Sequence, residues 1–178
     1  MTSRITNGTL TVTITEALTL ADADTNDHGV SATNVLSLPN IDEVVRRVVE
    51  IPTSETGLLS FAATVDDQVE ADSAGASQVS YVAGHFDHDT VRYIRITNKD
   101  DTNHVTLVFR GESGAEFAVM LDSDNSFIYG CDTRDGAGVV NTTDAHSAAQ
   151  SHTLGALRDI TAQANSAPVD LEVFVAST

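Results

Sequence analysis

Cysteine, tryptophan and lysine are almost absent from the chain. Its 178 residues include no Trp, a single Cys and a single Lys, Lys99. With Cys131 alone, the chain can form neither a disulfide framework nor a thiolate metal cluster. Aromatic residues make up only 5% of the chain, so Val, Leu, Ile and Ala must fill the interior of its fold.

Long apolar runs are also missing. No segment approaches the roughly 18–20 apolar residues of a membrane-spanning helix. The opening residues, MTSRITNGTL, lack the apolar centre of a secretion signal. We therefore expect a soluble protein with no membrane partner.

Positive charge is scarce, since 9 Lys and Arg residues stand against 26 Asp and Glu residues, for a formal net charge of −17. Binding to nucleic acid needs clustered Lys and Arg that neutralise phosphates, so a nucleic-acid partner is not expected. Two interpretations of the acidic surface stay open. It maintains solubility, or it adapts the protein to high ionic strength, where the repulsion is screened.

Catalytic motifs are absent from the sequence. It contains no G-x-S-x-G elbow, no P-loop and no dinucleotide-binding fingerprint. It also lacks the Trp platforms that usually accompany the paired carboxylates of a glycosidase. We predict a protein that is not an enzyme, with no catalytic, cofactor-binding or metal-binding residues and no cofactor.

Three segments contain side chains that could bind or react, and each has a simpler interpretation. The tract Asp22–Asp27 begins like a calcium loop, but Asp27 replaces the Gly of the sixth position and Thr33 the Glu of the twelfth. The pentapeptide His85–Asp89 offers two imidazoles and two carboxylates, but ligands so close in sequence rarely converge on one ion. A polar turn fits it better. Cys131 is interpreted as a small residue at a strand end.

Apolar and polar residues alternate through Tyr93–Tyr129, in three runs separated by turns rich in Asp, Asn and Gly. Val105, Leu107 and Phe109 share one face of the middle run, because successive side chains of a strand point to opposite sides. Phe117 begins the same pattern in the next run. The segment predicts an antiparallel meander with both Phe side chains in the core.

Similar patterns extend toward both termini. TLTVTITE predicts a half-buried strand with a Thr-covered face, and a loop is predicted from Asp22 to Asn40. The stretch Val44–Ile51 fits both a helical stripe and a strand face, but four Val in six residues favour a strand, after a short helical turn at Asn40–Glu43. Further predictions are a loop at Cys131–Gln150 and a hairpin formed by Ala156–Ala164 and Val169–Ala176.

About eight to ten strands with almost no helix predict an all-β fold. The expected architecture is an antiparallel β-sandwich with long acidic loops, of which a jelly roll is one form. We expect a single β-sandwich domain over residues 1–178, in which residues 1–40 have the least typical pattern.

Several Arg residues fall inside predicted strands, where a planar guanidinium suits bidentate contacts with carboxylates. The carboxylates can belong to the same chain or to a neighbouring subunit, and we favour pairing within the chain. These residues are Arg46, Arg47, Arg92, Arg95 and Arg110.

Three stretches resemble a class of small β-rich structural proteins of tailed phages, especially phages of marine and cyanobacterial hosts. They are YIRITNKDDTNHVTLVF (Tyr93–Phe109), then FAVMLDSDNSFIYG, and the closing DITAQANSAPVDLEVFVA. The resemblance extends over residues 44–178. The shared elements are a strand ending in RITN and an apolar strand leading to SFIY, and both are patterns of packing residues. The resemblance therefore implies a location in the virion but no active site.

The resemblance implies a non-enzymatic structural protein located in the virion, foremost a capsid decoration or cement protein. The implied partners are other virion proteins, the major capsid protein among them, and further copies of the chain. A homo-oligomer is expected, with a trimer favoured at a capsid three-fold position. The alternatives are a tail, neck or baseplate component, or a glycan-binding β-sandwich module.

Overall fold

Strands are the regular structure of this chain. The computed structural model describes residues 7–20, 28–61, 81–111, 116–130, 138–140 and 154–178, and it contains no helix in these ranges. Among them, accordingly, no helix is long and apolar enough to cross a membrane. The all-β prediction is confirmed.

The described residues form twelve strands. They are β1 (Gly8–Leu20), β2 (His28–Ile41), β3 (Glu43–Ile51), β4 (Thr56–Ser60), β5 (Gly84–His85), β6 (Val91–Asn98), β7 (Val105–Gly111), β8 (Glu116–Leu121), β9 (Ser126–Gly130), β10 (Gly138–Val140), β11 (Leu154–Ala164) and β12 (Val169–Ser177).

The chain divides into two compact units, Met1–Asp42 and Glu43–Thr178. Every strand from β3 to β12 belongs to the second unit, whereas the sequence placed residues 1–178 in one sandwich domain. Whether the two units unfold together is a thermodynamic property, so the single-domain expectation stays a prediction.

The first unit is a two-stranded antiparallel ribbon of β1 and β2. The predicted loop from Asp22 to Asn40 is therefore wrong from His28 onward, because this segment pairs with β1 along its length. The calcium-like tract at 22–27 lies outside the described residues. The predicted helical turn at Asn40–Glu43 is also wrong. Asn40, the residue before the end of β2, has a left-handed φ of 61°, a conformation that Asn tolerates better than most residues.

Two sheets form the second unit. One has the order β5-β4-β11-β7-β8 with β10 alongside β11, and the other has the order β3-β12-β6-β9. All pairs are antiparallel except β4 with the short β5. The sheets pack against each other, and the rings of Phe109 in β7 and Phe127 in β9 meet with centroids 4.8 Å apart. The β-sandwich prediction is confirmed.

The pairing of the long strands is nested. In chain order the long strands are β3, β4, β6, β7, β8, β9, β11 and β12. The first strand, β3, pairs with the last, β12, and inside this pair β4 pairs with β11, β6 with β9 and β7 with β8. Consecutive long strands therefore lie in opposite sheets, except for the β7–β8 hairpin.

Two predicted connections are wrong as a result. The Tyr93–Tyr129 meander is interrupted, because β6 pairs with β9 and β12, whereas β7 pairs with β8 and β11 in the other sheet. The predicted C-terminal hairpin does not form, because β11 and β12 lie in different sheets. The predicted loop at Cys131–Gln150 contains β10, and the rest of that segment lies outside the described residues.

The core between the sheets is mainly aliphatic, as the composition indicated. Its fully buried members come from both sheets and include Leu58, Leu59, Ile94, Ile96, Leu107, Ile160 and Leu171. The large aromatic residues buried among them are Phe61 and Phe109.

A buried asparagine joins the two sheets. Asn98 ends β6 and has no exposed surface. Its Nδ2 donates to the carbonyl oxygens of Asn103, at 2.8 Å, and of Leu121 in β8, at 3.3 Å. Its Oδ1 accepts from the backbone N–H of Asp100 at 3.0 Å. The RITN element of the sequence therefore has a structural role, since its last residue connects β6 to the opposite sheet.

Candidate interaction surface

The side of the β3-β12-β6-β9 sheet that faces away from the core, here called the outer face, is the best-defined candidate surface. Its residues follow from strand alternation opposite the core positions. They are Val44, Arg46, Val48 and Glu50 of β3, Asp170, Glu172, Phe174 and Ala176 of β12, Tyr93, Arg95 and Thr97 of β6, and Ser126 and Ile128 of β9. Of these, Tyr93, Glu172 and Ala176 are buried, so the accessible part of the face lies around them.

Glu172 lies on the central strand of this face between two guanidinium groups. Arg46 donates to Glu172 Oε2 from Nη2, at 2.5 Å, and from Nε, at 3.1 Å. Arg95 Nη2 donates to the other carboxylate oxygen, Oε1. The hydrogen bonds from Arg46 hold the pKa of Glu172 below its ordinary value, outweighing burial, and the positive charge of Arg95 adds to the effect.

Aromatic contacts continue the cluster on the same strands. The Arg95 guanidinium lies over the Phe174 ring, with Cζ 5.7 Å from its centroid. This is a cation–π distance. Tyr93 meets the same ring edge-on, with centroids 5.8 Å apart. Arg95 Nε is buried without a hydrogen-bond partner among the described residues, so the ring and Glu172 are the contacts that stabilise this guanidinium.

A second ion-pair network occupies the other sheet, around Arg110 of β7. Its Nη2 donates to Glu55 at 2.6 Å and its Nε to Glu116 at 2.9 Å, while Nη1 lies 3.5 Å from the buried Asp159. Thr161 donates to Glu55 at 2.6 Å. This hydrogen bond, followed by the one from Arg110, lowers the pKa of Glu55. Burial alone would lower the pKa of Arg110, but its carboxylate partners raise it above the ordinary value.

These contacts confirm pairing within the chain for Arg46, Arg95 and Arg110. Arg92 Nη1 also donates to the carbonyl oxygen of Asp89, at 3.0 Å. Among the described residues, no carboxylate forms an ion pair with Arg47. A general acid at neutral pH needs a raised carboxyl pKa, whereas the pKa values of Glu55 and Glu172 are lowered. The two ion-pair networks connect neighbouring strands, and they keep the carboxylates of Glu55 and Glu172 ionised.

The pentapeptide His85–Asp89 begins with the last residue of β5, His85, and continues into a polar turn. Asp87 Oδ1 accepts from the N–H of Asp89 at 3.0 Å, and the Asp87 carbonyl accepts from the N–H of Thr90 at 3.1 Å. His88 Nδ1 lies 3.3 Å from the carbonyl oxygen of Phe61. Within the described ranges, no group of three or more His, Cys, Asp or Glu side chains is placed to hold a metal ion. Cys131 lies outside those ranges.

Sequence reasoning missed the acidic centres of both networks, Glu172 and Asp159. Each is an acidic residue within a largely apolar strand, and this is the one local signal that could have indicated them. Their partners come from strands that are distant in sequence, so identifying the pairs required the strand order.

Apolar side chains border the charged centre of the outer face. Val48 is 60% exposed, and Val44 and Ile128 are also exposed. The outer face therefore combines exposed apolar side chains with an ion-pair cluster whose charges are paired within the chain.

Comparison of the chain with protein-family models, with curated proteins and with solved structures finds no match. The likeness to phage structural proteins therefore depends on the sequence stretches quoted above.

Proposed function

We propose that the protein is a non-enzymatic structural protein of a tailed-phage virion, foremost a capsid decoration or cement protein. The observation that supports this most strongly is the nested strand order. The first long strand pairs with the last, the second with the seventh, the third with the sixth and the fourth with the fifth. We infer a jelly roll from this order, because rolling up one long hairpin produces nested pairs of this kind. Jelly rolls occur in viral capsid and lectin domains.

Fold alone does not specify function, and two further features favour the virion. The sequence resemblance is to phage structural proteins, and it covers the same residues that form the sandwich. The net charge of −17 suits a protein on the outside of a particle, away from packaged DNA.

A glycan-binding module is the competing function, because lectin domains share the jelly roll. Sugar sites commonly use exposed aromatic rings as platforms. In the described part of the chain, Phe117 is the one Phe among the exposed large apolar residues, and its ring stacks on Phe109. This leaves at most one face of that ring for a sugar, which disfavours the glycan hypothesis.

Quantitative mass spectrometry of purified particles of the encoding phage tests the proposal. Isotope-labelled peptides from the chain and from the major capsid protein give the copy number. Hundreds of copies per particle support a shell protein, and tens or fewer support a neck, tail or baseplate component. Absence from particles, together with saturable binding on a glycan array, would overturn the proposal in favour of a lectin.

A further inference from the structure

The β1–β2 ribbon has one apolar face and one hydroxyl-rich face. In the antiparallel register, Leu10 lies opposite Leu38 and Val12 opposite Leu36. Ile14 and Leu18 continue the same face of β1, because they follow at even spacing, and Glu16 is the one charged residue between them. The opposite face is rich in Thr and Ser, with Thr11 opposite Ser37 and Thr15 opposite Thr33.

Burial decreases along this ribbon. Leu38 and Ile41 are buried. Farther along, Ile14 is 44% exposed and Leu18 is 54% exposed. The ribbon therefore presents apolar side chains that no described residue covers over the part that lies away from Asp42.

The outer edges of the two ribbon strands pair with no other described strand. In the described part of the chain this sheet has two strands, so each strand has one edge without a ladder. The 13 residues of β1 amount to roughly 40 Å of strand at ~3.3 Å per residue. Proteins usually protect such edges with Lys, Pro, bulges or short strands. β1 has an irregularity between Gly8 and Leu10 and one charged residue, Glu16, but it is long and contains neither Lys nor Pro.

Charge indicates which partner suits this edge. Both strands together contain a single acidic residue, Glu16, and no Lys or Arg, in a chain of net charge −17. Two copies of so acidic a chain repel each other over most of their surface. The ribbon is the stretch along which a second copy meets the least repulsion.

We propose that β1 is a self-association edge and that its partner is β1 of a second copy. Two β1 strands pair antiparallel about a two-fold axis, giving a four-stranded sheet in the order β2-β1-β1-β2. With Ile14 on the axis, Leu10 of each copy lies opposite Leu18 of the other, and Val12 lies opposite Glu16. The apolar residues therefore stay on one face, on which Glu16 is the one charged residue of β1. The interface is isologous, since each strand contributes the same residues.

The same register places Thr13 of each copy opposite Thr15 of the other, on the hydroxyl-rich face. Cross-strand Thr pairs stabilise antiparallel sheets. The dimer buries side chains and edge groups that one copy leaves exposed. The proposed dimer does not depend on the assignment of the protein to a virion. It also differs from the trimer that a capsid three-fold position would favour, because two β1 strands pair about a two-fold axis.

Charge exchange on the full chain tests the proposal. In Thr13→Glu/Thr15→Glu, acidic residues lie opposite acidic residues, and in Thr13→Lys/Thr15→Lys, basic residues lie opposite basic ones. Each variant alone should dimerise at least about ten-fold more weakly than the wild type by sedimentation, since like charges directly opposite each other destabilise a sheet. An equimolar mixture of the two should restore a heterodimer with near wild-type affinity.

The matched control is Thr33→Glu/Ser37→Glu, which adds two acidic residues to the same face on β2, away from the proposed edge. It should keep the wild-type dimer affinity, and its far-UV circular dichroism shows whether the ribbon still forms. The proposal is overturned if the wild type is a monomer up to millimolar concentration, if the β1 variants dimerise like the wild type, or if the mixture fails to restore the dimer.

Discussion

The rings of Phe109 and Phe117 stack face to face across the β7–β8 hairpin, with centroids 4.6 Å apart and 1° between their planes. The antiparallel register places the two residues directly opposite each other. Their burial differs sharply, since Phe109 is 3% exposed and Phe117 is 42% exposed. Phe109 also contacts Phe127 of the other sheet, so it belongs to the core, whereas Phe117 covers the edge of the core. The prediction that both residues are core residues is correct only for Phe109.

This asymmetry predicts unequal costs of truncation. Phe109→Ala should lower the free energy of unfolding by about 3–5 kcal/mol through lost transfer energy and a residual cavity. Phe117→Ala should cost about 1–2 kcal/mol, because part of that ring is already in water and the stacking contact contributes roughly 0.5–1.5 kcal/mol. Urea unfolding of both variants measures the difference. Equal costs would contradict the assignment of Phe109 to the core and Phe117 to its edge.

Asn98 should be sensitive to the loss of its donor group. Asn98→Asp keeps an oxygen for the N–H of Asp100 but cannot donate to the Leu121 and Asn103 carbonyls, and it buries a charge. We expect it to cost at least about 1–3 kcal/mol of stability, the range for an unsatisfied buried polar group. Thr97→Val, on the neighbouring outward position, is the control and should cost less. Both are measured by chemical unfolding, and equal stability of the Asp variant and the wild type would refute the bridging role.

The lowered pKa values of Glu55 and Glu172 predict loss of stability in acid. The folded state holds these carboxylates ionised below their ordinary pKa of 4.5, so the unfolded chain binds protons first as the pH falls. Their contribution is complete above that pH and decreases as the pH falls through the folded pKa values. From pH 6 down to roughly pH 3, the free energy of unfolding of the wild type should fall relative to that of Glu172→Gln, which lacks this carboxylate. The comparison cancels the relief of net negative charge that both proteins share.

Glu50→Gln is the control for this experiment, because Glu50 is an exposed neighbour on the same sheet face. At neutral pH, Glu172→Gln should itself cost about 1.5–3 kcal/mol, since it weakens hydrogen bonds to two charged partners. If Glu172→Gln and Glu50→Gln give the same acid slope and the same stability, the Arg46–Glu172–Arg95 cluster does not stabilise the fold.

Salt should stabilise the protein. The 17 excess negative charges repel one another, and raising the ionic strength to about 0.5 M shortens the Debye length below 10 Å. The ion pairs of Arg46 and Arg110 weaken under the same conditions, but they are few against the net charge. The melting temperature should therefore rise from low salt to about 0.5 M NaCl. A flat or falling melting temperature over this range would exclude adaptation of the acidic surface to high ionic strength.

Local pattern was sufficient to locate most strands of the sandwich. The strands predicted from the alternation at Val105, Leu107 and Phe109, and from that at Val169 and Leu171, are confirmed. Burial on one side of a strand leaves a period of two in the sequence. The strand at 28–41 was missed because its Ser, Asn, Gly and Pro residues are typical of loops. It is a strand because β1 supplies hydrogen-bond partners along one of its edges, which is a tertiary influence on local propensity.

Pairing could not be obtained from the same pattern. Alternation shows which side chains of β6 face inward, but it is identical whether β6 pairs with β7 or with β9. The nested order instead depends on contacts between strands far apart in sequence, such as Val169 opposite Ile51. The ion pairs of the outer face could not be predicted from the local pattern either. Arg46 and Arg95 were recognised as Arg residues seeking carboxylates, but Glu172 could be named as their partner only once β12 was placed between β3 and β6.

Cryo-electron microscopy of the particle tests the central claim most directly. Maps of wild-type phage and of phage lacking the gene are compared at equal resolution. The proposed function predicts difference density on the outer surface of the shell, repeated with the capsid symmetry and fitted by a sandwich of the β3-β12-β6-β9 and β4-β11-β7-β8 sheets. Difference density confined to the neck or tail would move the protein to the alternative virion position. Identical maps, with the chain absent from both particles, would contradict the claim that it is a structural protein of the virion.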